Sequence, residues 1–164
     1  MTSYRIRPAV GADHEWLARC NAAMALETED KRLDADTLMA GIGHALADEG
    51  KARYFIAMRD ATLAGSETIG IPVGTLMLTT EWSDWRDGDW WWIQSVYVMP
   101  EHRRQGVYAA LYRHVEHLAR ATEGVIGLRL YVESENENAM ATYTALGMHD
   151  AGYRLFESEF AHDV

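Results

Sequence analysis

The stretch from Gln94 to Leu111 constrains this chain more than any other. An extended run of β-branched and aromatic residues, Val96-Tyr97-Val98, is stopped by Pro100. A short basic turn with Arg103 and Arg104 follows, and a helical pattern begins at Gly106. The order reads as strand, tight loop, helix. Such a loop aims free backbone N–H groups and the positive end of a helix dipole at one place, which suits a phosphate or pyrophosphate.

The flanking sequence predicts the scaffold for that loop. Tyr4 to Pro8 alternates and makes a first strand. Trp16, Leu17, Cys20 and Met24 recur at helical spacing between Asp13 and about Glu27. Asp34 can cap a second helix whose stripe is Leu38, Ile42, Ala45 and Leu46, and which Gly50 ends. Arg53 to Met58 and Ile69 to Thr80 read as an antiparallel hairpin around a turn at residues 60–68, with Pro72 placed near an edge or strand entry. After the loop, Gln105 to Thr122 presents Val107, Leu111, Val115 and Leu118 as a helical stripe, and Val125 to Val132 alternates as a half-buried strand. Asn136 to Leu146 is helical with Gly147 as its cap, and Met148 to Phe160 is expected to supply one or two closing strands. No linker, repeat or low-complexity segment interrupts the order, so residues 1–164 read as one domain.

Two stretches stay open on sequence grounds. Glu81 to Trp92 holds five of the six tryptophans and reads as a connection between strands, turned at Asp87-Gly88. Its aromatic surface serves as a substrate wall, a dimer contact or local packing. Glu27-Thr28-Glu29-Asp30 is either a solvated turn or a rim that attracts an amine.

Charge narrows the function. Asp and Glu number 25 against 15 Lys and Arg, a formal net charge of -10, which argues against a general nucleic-acid binder. The excess serves solubility or favours a cationic substrate. The single cysteine, Cys20, has no disulfide partner and lies on an apolar helical stripe, as a buried structural thiol would. No apolar run approaches the roughly 18 residues of a membrane span, and no signal peptide is evident, so a cytoplasmic protein without membrane contact is expected.

Two motifs together carry a family resemblance. Arg103-Arg104-Gln105-Gly106-Val107-Tyr108 resembles the acetyl-CoA signature of the GNAT superfamily of N-acetyltransferases, Arg/Gln-x-x-Gly-x-Gly/Ala. Asn136 to Met148 resembles that family's second signature, Asn-x-x-Ala-x-x-x-Tyr-x-x-x-Gly-Phe, with Met148 for the phenylalanine. Tyr108 stands where glycine or alanine is usual, so its ring must lie outward from the loop or pack beside it.

The resemblance implies an α/β (α+β) fold: a mixed, mostly antiparallel sheet with a splayed central strand pair, flanked by about four helices. It implies acetyl-CoA as co-substrate and no metal. The CoA pyrophosphate would meet the backbone N–H groups of Arg104, Gln105, Gly106, Val107 and Tyr108, with charge from Arg103 or Arg104. The pantetheine arm would pair with backbone groups of Val96, Tyr97 and Val98, and Asn136 would contact the arm. The Val96 or Val98 N–H would polarise the thioester carbonyl, and the Tyr143 hydroxyl would protonate the departing thiolate or orient the thioester.

Many relatives place a glutamate in the central strand, where this chain reads Trp91-Trp92-Ile93-Gln94-Ser95. Glu81, Asp84 or a water relay is left to take the amine proton. The expected activity is direct acetyl transfer to a primary amine of a small molecule, an amino acid or a peptide N-terminus, by a homodimer. The alternative is a catalytically silent CoA-binding sensor or interaction module. A nucleotide-phosphate protein is a poor reading, since the chain lacks Gly-x-x-x-x-Gly-Lys-Ser/Thr.

Overall fold

The computed structural model describes residues 4–62 and 68–160. They form strand β1 (Arg5–Pro8), helices α1 (His14–Glu29) and α2 (Ala35–Ala47), and strands β2 (Arg53–Thr62), β3 (Thr68–Ser83) and β4 (Gly88–Val98). Helix α3 (Val107–Ala121), strand β5 (Val125–Leu130) and helix α4 (Glu137–Ala145) follow. The chain divides into two compact units, one ending at Tyr131 and one starting at Val132.

The first unit holds a five-stranded sheet in the order β1-β2-β3-β4-β5. The first four strands pair antiparallel, and β4 pairs with β5 in parallel. Period-two alternation along β2 sends successive side chains to opposite faces. Tyr54, Ile56 and Met58 pack with Leu17 of α1 and Ile42 of α2, whereas the Phe55 ring meets His114 of α3 edge-on at 5.4 Å. Helices α1 and α2 therefore cover one face and α3 the other. Helix α2 starts where Asp34 accepts from the Thr37 N–H at 2.8 Å, as the sequence predicts.

Two expectations need correction. The tryptophan-rich stretch is strand rather than connection: β3 runs on to Ser83, β4 starts at Gly88, and Thr79, Thr80 and Glu81 pair with Trp92, Trp91 and Trp90. The cause is a tight turn, in which Asp87 is left-handed (φ 42) and Gly88 lies so close to Gly124 that a Cβ would sit 2.9 Å from its carbonyl oxygen. Pro72 is near the start of β3 and beyond the end of its ladder with β4, whose last contact is the Met99 N–H to the Val73 carbonyl. Strand β3 is therefore locally an edge there, as the sequence predicts, and a register shift opposite Ala57 and Met58 lies beside it. Residues 63–67 of the expected hairpin turn lie outside the described residues.

The second correction concerns the second unit. Residues 148–160 form no strand. The Met148 N–H bonds back to the Tyr143 carbonyl at 3.0 Å, and Gly152 is left-handed (φ 76), which breaks an extended run. Tyr153, Leu155, Phe156 and Phe160 are exposed there.

Gly74 sets how closely α3 approaches the sheet. A Cβ there would lie 2.9 Å from Val107 Cγ1 and 3.1 Å from the Tyr97 carbonyl oxygen, so side chain and backbone both block it. Gly74→Ala is expected to destabilise the fold by about 1–3 kcal/mol through overpacking. Gly41→Ala, with nothing within 4 Å of its Cβ in helix α2, should be neutral or stabilise by up to about 1 kcal/mol. Urea unfolding of the two variants checks the pair, and equal midpoints would refute the close-approach account.

Candidate active site

Strand β4 is paired on both sides only along its first half. The parallel ladder with β5 runs from Asp89↔Val125 to Ile93↔Leu130 and ends there. On the other side, Met77↔Ser95 is followed by Leu78↔Ile93, so Gln94 is the extra residue of a β-bulge. The ladder with β3 continues beyond it, and the Met99 N–H donates to the Val73 carbonyl at 2.9 Å. Antiparallel alternation then turns the backbone groups of Ser95 and Tyr97 toward β3 and those of Val96 and Val98 away from it. The strand thus opens one edge just past the bulge, and the Val96 and Val98 N–H groups face that side.

The chain leaves β4 through a 3-10 turn, Pro100–His102, and enters α3 at its N-cap Gly106. Gly106 has φ 86, and nothing lies within 4 Å of a Cβ built there. Arg104, also left-handed at φ 60, is exposed. The Ala110 N–H reaches the Gly106 carbonyl at 3.0 Å, so the N–H groups of Val107 and Ala109 belong to the first turn, where a helix offers no intrahelical acceptor. Tyr108 packs along α3 with its ring 6.3 Å from that of Tyr112, which places it beside the loop. Gln105 braces the turn: its amide donates to the Glu101 carbonyl at 2.9 Å, and its own carbonyl accepts from the Tyr4 hydroxyl at 3.3 Å.

Arg103 is committed within the protein. Its Nε donates to the Val98 carbonyl at 3.0 Å, and its guanidinium pairs with Glu27 at 2.6 Å. Glu27 accepts on its other oxygen from the Tyr97 hydroxyl at 2.9 Å. The hydrogen bond from Arg103, and next that from Tyr97, hold the Glu27 carboxyl below the usual glutamate range. Burial, and then Glu27, push the Tyr97 hydroxyl up. Of the two loop arginines, Arg104 is therefore the one whose charge is open to a ligand. Glu27, one member of the acidic stretch, is a structural partner of the loop, while Asp30 forms the left-handed end of α1 with φ 50.

On the opposite side of the unit, α1, α2 and the sheet enclose an open cleft of about 680 Å³. Met24, Leu38, Ile42 and Met77 supply much of its wall, with Gln94 and Thr79 on the sheet side and Glu29 at the end of α1. The Gln94 amide donates to the Thr79 hydroxyl at 2.7 Å. Gln94 is thus both the bulge residue and a wall of the cleft, next to the edge on which Val96 and Val98 open.

Glu81 and Asp84 are placed differently from one another. Glu81 is half-exposed on β3, two residues beyond Thr79 and so on the same face. It accepts from the Trp92 indole, and from Arg129 at 3.1 Å. Asp84 sits in the exposed turn between β3 and β4. The tryptophans divide as well. Trp91 is buried under the Arg53 guanidinium, 3.9 Å away, and Arg129 lies 4.0 Å from the Trp90 ring and 5.9 Å from that of Trp92. Those three serve local packing, whereas Trp82 and Trp85 are exposed.

Cys20 is buried, and burial pushes its thiol up to about 12, which keeps it protonated and unreactive at neutral pH. In the second unit, Asn136 caps α4 by accepting from the Ala139 N–H at 3.1 Å, and Tyr143 is a half-buried residue of that helix.

Two features escaped sequence reasoning. The link from Glu27 to Arg103 and Tyr97 joins residues too far apart in the chain for any local pattern to show it. A splayed central strand is what the resemblance implies, but the position of the bulge is not; its trace is the adjacent polar pair Gln94-Ser95, which interrupts an otherwise apolar run from Trp90 to Val98.

Comparison with known proteins gives a consistent match. The sequence profile of the Acetyltransferase (GNAT) family matches residues 14–148. A crystal structure of a possible acetyltransferase from Clostridium difficile 630 is similar with a TM-score of 0.82 and 40% identity, over 97% of this chain and 99% of that one. A probable acetyltransferase matches with a TM-score of 0.77 and 21% identity, over 97% and 99% of the two chains. The aminoglycoside N-acetyltransferase AAC(6')-Iy, solved in complex with CoA, matches with a TM-score of 0.73 and 16% identity, over 98% and 97%. At the last two identities the likeness concerns the fold. No curated protein matches the sequence.

The Glu27 pairing has a pH signature. Because its folded-state value is depressed, its stabilising contribution is complete above the unfolded glutamate value and is lost as pH falls through the folded value. Carboxyl-detected NMR titration should place Glu27 below ordinary glutamates. Arg103→Ala should return it most of the way, and Tyr97→Phe by less. A Glu27 that titrates alike in wild type and Arg103→Ala would disprove the pairing.

Proposed function

The chain belongs to the acetyltransferase (GNAT) family, and on that premise we propose that it transfers the acetyl group of acetyl-CoA directly to a primary amine. The acceptor class is a small molecule, an amino acid or a peptide N-terminus, and we read the whole chain as one catalytic domain. The observation that carries the proposal is the open edge of β4 at Val96 and Val98, leading through a short loop to the start of α3.

The residues fit the co-substrate. The N–H groups from Arg104 to Tyr108 suit a pyrophosphate, since Gly106 is open on its Cβ side and the loop leads directly into the N-terminal turn of α3. Arg104 adds charge, and Arg103 holds the loop in place through Val98 and Glu27. The exposed backbone of Val96 and Val98 suits the amides of the pantetheine arm, with Tyr97 anchoring the strand between them through Glu27. Acetyl-CoA brings an activated thioester carbonyl and a thiol leaving group. We assign to the Val96 or Val98 N–H the donation to that carbonyl oxygen as negative charge develops on it.

Proton handling falls to side chains. Tyr143 is proposed as the acid for the departing sulfur, and Asn136 as a contact to the arm. Both assignments are supported by the match of Asn136 to Met148 to the family's second signature. The sheet wall of the cleft offers Gln94 and Thr79, so we assign removal of the amine proton to water that passes it to Glu81, on the same strand face as Thr79. A protonated Cys20 supports direct transfer over an acetyl-cysteine route. We further propose a homodimer on family resemblance. A cytoplasmic location is supported by the lack, among the described residues, of a helix long and apolar enough to cross a membrane.

Isothermal titration should show acetyl-CoA binding tighter than about millimolar, a binding free energy more favourable than about -4 kcal/mol. Tyr143→Phe should lower kcat by roughly a hundredfold while leaving acetyl-CoA affinity nearly unchanged. An undiminished kcat removes Tyr143 as the acid. Binding of acetyl-CoA without thiol release over a broad amine panel would identify a CoA-sensing module instead.

A further inference from the structure

Resting on the acetyl-transfer reading, we propose that the cleft selects a single primary amine carried on an apolar body, and that Gln94 positions its nitrogen through the amide oxygen. Three observations carry this. The walls are largely apolar, with Met24, Leu38, Ile42 and Met77 among them, and a volume of about 680 Å³ admits a compact ligand. Among the described lining residues Glu29 is the one carboxylate and Lys51 the one cation, so an acceptor with several ammonium groups would leave most of them without a partner in apolar surroundings. Glu27, the next acidic residue along α1, is already neutralised by Arg103.

Gln94 supplies the polar anchor. As the bulge residue it projects at the point where β4 parts from β5. Its Nε2 is held by the Thr79 hydroxyl at 2.7 Å, which leaves Oε1 as an acceptor. An amide oxygen accepts an N–H from a neutral amine without the full charge that would hold an ammonium. It therefore stabilises the ammonium less than a carboxylate would, and leaves more of the form whose lone pair can attack. In the transfer, the amine nitrogen bonds to the acetyl carbon, the carbon–sulfur bond breaks with its electron pair on sulfur, sulfur gains a proton, and the nitrogen loses one to water. Gln94 takes no proton; it is a positioning residue.

The test compares phenethylamine and hexylamine with spermidine and kanamycin, using the full chain and acetyl-CoA. Thiol release gives kcat and KM, and titration of each amine into protein loaded with CoA gives affinity. The expected result is a kcat/KM for the two apolar amines at least about tenfold above that for the polycations. Gln94→Ala should raise KM for phenethylamine with little change in acetyl-CoA affinity, which also reports that the variant is folded. Gln94→Glu should shift preference toward spermidine. Preference of the wild type for spermidine or kanamycin overturns the proposal, as does a Gln94→Ala variant with unchanged KM. If no amine is turned over, the acetyl-transfer reading fails separately. In that case, tighter binding of phenethylamine than spermidine still supports the cleft assignment, and the reverse order overturns it.

Discussion

The organising constraint is that backbone N–H and C=O groups must find partners, and that β4 cannot satisfy its own along its whole length. Its ladder with β5 ends at Ile93↔Leu130, and the bulge at Gln94 bends the strand where pairing stops. A polar backbone edge inside a sheet is costly unless water or a ligand meets it. That edge is what turns an ordinary mixed sheet into a place where an extended amide-bearing molecule can lie as a surrogate strand. The loop and the helix that follow are useful because of where this edge leads.

Holding that geometry falls to close packing on one face and charge on the other. Gly74 lets the first turn of α3 sit against β3, with Val107 and Leu111 at the contact, so the helix start is set by the core and not by the loop. The loop itself is short of regular hydrogen bonds and contains the left-handed residues Arg104 and Gly106. Arg103 compensates by joining the Val98 carbonyl to Glu27. An arginine suits this because its planar fork serves two acceptors in fixed directions.

Much of this was legible in the sequence because it is local. The strand, turn and helix around Pro100 and Gly106, the Asp34 cap and the stripes of α1 and α3 each follow from neighbours a few residues apart. The illegible parts depend on distant partners. Trp90, Trp91 and Trp92 look like a loop by composition, yet they pair with Glu81, Thr80 and Thr79 because the turn at Asp87-Gly88 is tighter than the aromatic cluster suggests. Met148 to Phe160 looks like strand by its apolar residues, but pattern alone does not provide a ladder partner, and Gly152 turns the chain. The proposed cofactor loop was legible through the local pattern around Pro100 and Gly106. The acceptor side is an assembly of α1, α2 and three strands, which no single stretch encodes.

The Glu27–Arg103 pair also joins the two halves of the candidate site. Helix α1 forms a wall of the acceptor cleft through Met24, Ala25, Thr28 and Glu29, and the same turn of helix carries Glu27 to Arg103 on the phosphate-loop side. A shift of the loop would pull on α1 through one ion pair, and a shift of α1 would move the guanidinium that holds the Val98 carbonyl. With Arg103 neutralised in this way, attraction for an anion rests on Arg104 and the start of α3. In a chain with a net charge of -10, that attraction is a short-range property of the loop, set against the field of the whole protein.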